Sequence, residues 1–114
     1  MFKFKINNRN WRIIELSQEE IKRKQNIRRA NEDENIKSTD RRYFGVTYFD
    51  EQIICLDESL PTDRKRATLI HELTHCFIGN FITHQEKTFD EEMVADIVSN
   101  SYDIITEIIN KYFV

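Results

Sequence analysis

The stretch between Pro61 and Gly79 constrains the fold more than any other. Leu69, Leu73, Phe77 and their neighbours Ile70 and Ile78 recur at helical spacing and call for a buried face. Among them stands His71-Glu72-Leu73-Thr74-His75. Residues four apart on an α-helix differ by about 40° and one turn, so both imidazoles leave from the same side. They lie beside the core, where polar groups need partners. The fold must therefore supply a layer against Leu69 and Leu73 while leaving the histidine side accessible. Pro61 and Thr62 announce the helix, which is expected from about residue 63 to 78, with Gly79 as a left-handed C-cap.

The other elements follow from periodicity. Phe2, Phe4 and Ile6 alternate with Lys3, Lys5 and Asn7 as in a half-buried strand, and residues 11–16 suggest a second. Ser17 and Glu20 have capping-box spacing and open a charged helix to about residue 29, expected outside the core because its apolar content is thin. Residues 31–40 are polar and read as a loop. Residues 43–49 and 52–56, aromatic and β-branched, flank Asp50-Glu51 as a hairpin. Thr88 and Glu91 repeat the capping-box spacing and start a long helix to about residue 112, with Ala95, Val98, Tyr102, Ile105 and Ile109 as its core stripe.

The order β, β, α, β, β, α, α predicts an α+β fold, with a small antiparallel or mixed sheet packed on the motif helix and a C-terminal helix. At 114 residues, a single domain over 1–114 is expected.

Charge and cysteine usage exclude several classes. The lysines among the first aromatics do not suit a secretory signal, and no stretch has the length of a membrane span. A formal charge of −3 gives no field toward nucleic acid. The basic runs at Lys22-Arg23-Lys24 and Arg28-Arg29 are followed by Glu32-Asp33-Glu34 and read as a solvated mixed-charge surface. Cys55 and Cys76 are expected as free buried thiols in a reducing cytoplasm.

Two histidines at this spacing suit one zinc ion per chain, bound at about 2.0–2.1 Å. Glu72 is then placed to act as general base on the zinc-activated water. The bland alternative is a pair of histidines decorating a helix surface, which the apolar flanks disfavour. A catalytic zinc needs a third protein ligand. Glu92, 17 residues beyond His75, is the favoured candidate, with Asp96 one turn later to orient a ligating histidine. His84 and Glu91 stay open as alternatives, and an exposed acidic stripe is the plain reading of residues 90–96. Glu91 is disfavoured because the Thr88 cap engages it.

Thr68-Leu69-Ile70-His71-Glu72-Leu73-Thr74-His75, followed by Glu92-Met93-Val94-Ala95-Asp96, resembles the gluzincin pattern. With the hairpin before it, the stretch from about 43 to 100 is similar to the ImmA/IrrE-type metallopeptidases and the compact minigluzincins. The resemblance implies a zincin-like fold, zinc ligation by His71, His75 and Glu92, Glu72 as base and Asp96 as the histidine-orienting group. It also implies a sheet edge over the zinc that takes an extended substrate as an added strand. Cytoplasmic cleavage of a protein or peptide follows, with a transcriptional repressor among the partners. Tyr43, Tyr48 and His84 are the candidates for stabilising the oxyanion. The main alternative is a zinc-containing binding module or anti-repressor without turnover. A third is a hydrolase of another amide, or a peptidase kept latent by residues 1 to about 40.

Overall fold

A computed structural model describes residues 1–32, 41–81 and 90–114. The elements are β1 (Phe2–Ile6), β2 (Arg9–Leu16), α1 (Gln18–Glu32), β3 (Gly45–Tyr48), β4 (Ile53–Asp57), α2 (Thr62–Phe81) and α3 (Glu91–Tyr112). The fold is α+β, with one mixed sheet of order β1-β2-β4-β3.

β1 and β2 form an antiparallel hairpin. Asn7 and Asn8 turn it with φ of 48° and 62°, a left-handed pair that asparagine tolerates. β2 and β4 are parallel, joined across α1 and β3, and β3 closes the sheet antiparallel to β4. No helix among the described residues is long and apolar enough to cross a membrane.

Register divides the side chains between two faces. Trp11, Ile13, Ile54 and Leu56 meet Leu69, Leu73 and Cys76 of α2 and Ile105 and Ile109 of α3 in the larger core. Tyr48, Ile53 and Cys55 point the other way and pack on Ile21 of α1. With both faces covered, all five β4 residues are buried, as expected for an interior strand with a parallel neighbour.

Several expectations need correction. α1 is not outside the core, because Ile21 is fully buried and closes the second apolar cluster. The rest of α1 is tied by charge: Arg28 binds Asp50 and Glu51 at 2.7 and 2.8 Å, and Lys24 reaches Glu51 at 3.1 Å. α2 does not stop at Gly79 but continues to Phe81, and no glycine has positive φ. Gly79 instead answers a steric need, since a Cβ there would lie 2.2 Å from the Phe49 ring.

On α3 the buried stripe is Ile97, Ser101, Ile105, Ile108 and Ile109, whereas Val98 and Tyr102 are exposed. The helix presents a face rotated from the expected one, because its contact with α2 and β1 chooses the buried side. Its N-cap is Asp90, whose carboxylate accepts from the Met93 N–H at 2.8 Å. Thr88 lies outside the described residues.

The first 32 residues are also no detachable cover. They supply β1, the interior strand β2 and the helix over one sheet face. Deleting residues 1 to about 40 would therefore remove two strands and a helix from the fold.

Candidate metal centre

α2 presents its apolar side to the sheet and its histidines to the outside. Leu69, Leu73 and Cys76 are completely buried, while His71 and His75 are exposed. Their Nε2 atoms lie 3.2 Å apart and the rings are nearly perpendicular, at 80°. Two imidazoles bound to one tetrahedral zinc at 2.0–2.1 Å have nitrogens about 3.3–3.4 Å apart, so the pair fits a shared ion.

Glu72 emerges on the sheet side of the histidines and is buried. The Thr47 hydroxyl, on edge strand β3, donates to Glu72 Oε1 at 2.8 Å. The other oxygen, Oε2, is 3.9 Å from His71 Nε2. This geometry depends on Gly45. A Cβ at that position would lie 2.8 Å from Thr68 Cγ2 and 3.1 Å from Glu72 Cγ, so only glycine lets β3 approach α2 this closely. Neither Thr47 nor Gly45 was recognisable from the sequence, because their roles come from strand register against a distant helix.

The arrangement does not extend to the other expected residues. Glu92 and Asp96 are exposed in the first two turns of α3, and among the described residues no group of three His, Cys, Asp or Glu side chains is assembled to hold a metal. Glu91 is also exposed, at the first position of a helix capped by Asp90. His84 lies outside the described residues.

Tyr48 is not available to the site: it is buried on the opposite sheet face and its hydroxyl donates to Gln25 of α1 at 2.9 Å. Burial pushes its hydroxyl up to about 12. Tyr43 borders the cleft that contains His71 and Glu72. Cys76 is free and buried beneath the motif, and burial pushes its thiol up to about 12; Cys55 is raised to about 11 for the same reason. Neither thiol is suited to metal binding or nucleophilic work.

No curated protein and no solved structure matches the chain. The family model described as IrrE N-terminal-like domain, a peptidase family, matches residues 13–98. The match begins on β2 and takes in the hairpin, all of α2 and the first turns of α3. With most of its length matched in this way, the chain belongs to the IrrE N-terminal-like peptidase family.

Proposed function

We propose that the chain is a zinc metallopeptidase of the gluzincin kind. The observation that supports it most is the convergence of the two histidine Nε2 atoms beside a buried carboxylate that is held by a hydroxyl. His71 and His75 would hold the ion, with Glu92 as third ligand and Asp96 orienting a histidine. When bound, zinc supplies Lewis-acid chemistry: it brings the pKa of a coordinated water to about 7 and polarises a carbonyl.

The protein side of the reaction rests on Glu72. Thr47 occupies Oε1, which leaves Oε2 on the histidine side to take a proton from the attacking water and pass it to the departing amide nitrogen. The buried setting holds this carboxylate in one orientation before substrate arrives. Among the described residues β3 lies at the edge of the sheet and runs past Glu72, so an extended peptide can pair with its outward backbone groups and bring a carbonyl to the site.

Elemental analysis and peptide cleavage on wild type, Glu92→Ala and Glu72→Gln test the proposal. Wild type is expected to carry about one zinc, Glu92→Ala to lose it, and Glu72→Gln to retain it while cleavage falls by about 10²- to 10⁴-fold. Absence of zinc from wild type would sink the reading. Zinc uptake without cleavage of any peptide would turn it toward a binding module.

A further inference from the structure

Seven residues before His71, at the same angular position on α2 to within about 20°, stands Arg64. Between them Ala67 and Thr68 floor a cleft of about 540 Å³ that ends at His71 and Glu72. Its opposite wall is the segment entering β3. There the Arg42 guanidinium lies 5.6 Å and that of Arg64 5.5 Å from the centroid of the same ring, Phe44. Arg41 lies 5.3 Å from the neighbouring Tyr43 ring. Three guanidinium groups thus line the cleft, in a chain whose formal charge is −3.

For two of them, Arg42 and Arg64, the charge is incompletely compensated. Arg42 binds Asp57 at 3.2 Å yet is more than half exposed. Arg64 has no carboxylate partner among the described residues, and Phe44 is 41% exposed. Like charges gathered around one exposed aromatic ring repel each other unless an anion joins them, and planar guanidinium groups suit a carboxylate.

We infer that this cleft is a substrate subsite for an acidic side chain, so that the protein selects peptides bearing Glu or Asp near the bond to be cut. The inference rests on the peptidase reading for its substrate class. Two helical turns separate Arg64 from His71, about 10 Å, and an extended peptide covers that in about three residues. The selected acid therefore lies two to four residues from the scissile bond, on the side facing the start of α2. Cleavage itself is left to the residues around Glu72; Arg42, Phe44 and Arg64 determine which peptides stay long enough to be cut.

Short peptide pairs that differ only in Glu or Gln at one position give the test, with binding followed by fluorescence anisotropy on zinc-loaded and metal-free Glu72→Gln protein. The Glu member is expected to bind about tenfold more tightly at one position, with the preference shrinking as salt rises. Arg64→Gln should erase most of that preference, whereas Arg23→Gln, on α1, should leave it. Equal binding of Glu and Gln peptides at every position, or no binding of either, overturns the inference. The two readings separate because failure to take up zinc counts against the peptidase reading alone, and the preference on metal-free protein is measured independently.

Discussion

Thr47 and Gly45 show how far the position of Glu72, the proposed base, depends on its surroundings. Thr47→Val keeps the shape of the side chain and removes the hydroxyl that holds Oε1. Cleavage should fall by about tenfold and the thermal midpoint by several degrees, because a charge-assisted hydrogen bond to a buried carboxylate contributes about 1.5–3 kcal/mol. Steady-state kinetics beside a melting curve checks this, and a shifted melting point with unchanged kcat would count against the role given to Thr47. Gly45→Ala drives a methyl into Thr68 and Glu72. Overpacking of this kind costs about 1–3 kcal/mol, and activity should also fall, because Glu72, the proposed base, is one of the two side chains that must give way. The motif residues themselves could be read from the chain, but these two supports could not, since i,i+4 spacing is local and the β3–α2 approach is not.

Elements were legible where their pattern is local and ambiguous where neighbours choose the buried side. The hairpin of β3 and β4 and the existence of all three helices follow from alternation, capping residues and helical spacing. α3 carries apolar residues around more than one side, and its packing on α2 selected Ile97, Ile105 and Ile109 over Val98 and Tyr102. Ile105→Ala is accordingly expected to cost about 2–4 kcal/mol in urea denaturation, whereas Val98→Ala should stay within about 0.5 kcal/mol.

Gly79 offers a sharper check. Alanine is preferred over glycine inside a helix by about 1 kcal/mol, but here its methyl would collide with Phe49, which packs edge-on against Trp11. Gly79→Ala should destabilise the wild-type chain and stabilise a Phe49→Ala chain. The same sign in both backgrounds would refute the steric account.

The assembled protein is stapled by polar groups that join elements distant in sequence. Asp57, at the end of β4, is completely buried and accepts from Gln18 of α1, Arg42 and both Ser59 donors. Burial alone would raise its pKa, but the hydrogen bonds from Ser59 and Gln18 and the charge of Arg42 hold the carboxyl below its usual value. Glu15 behaves likewise: burial opposes ionisation, while Lys65 and Tyr112 lower the value. A carboxyl with a depressed folded pKa contributes stability above its unfolded pKa, near 4, and loses it as pH falls through the folded value.

The tyrosines act at the other end. Burial raises Tyr48 to about 12 and raises Tyr112 as well, helped by the hydrogen bond it donates to Glu15. Their contribution is present below the unfolded value, near 10, and is lost as pH rises toward the folded one. Urea midpoints should therefore be flat through neutrality, falling below about pH 4 and again above about pH 8.5, where the raised thiols of Cys55 and Cys76 begin to lose their contribution before the tyrosines do. Asp57→Asn should flatten part of the acid limb, and an unaltered limb would remove Asp57 from the account.

By itself the chain determined the helix with its two outward histidines, the carboxylate between them, the α+β order of elements and the basic and aromatic content of residues 41–44, because each depends on spacing or composition within a few residues. Only the tertiary structure decided that β2 and β4 pair in parallel, that Gly79 yields to Phe49 instead of ending α2, that Tyr48 faces away from the histidines, and that Arg42 and Arg64 share one aromatic ring beside His71. Each of these joins residues far apart in the chain, and their meeting is set by sheet register and by which face of each helix the core takes up, quantities that no local pattern encodes.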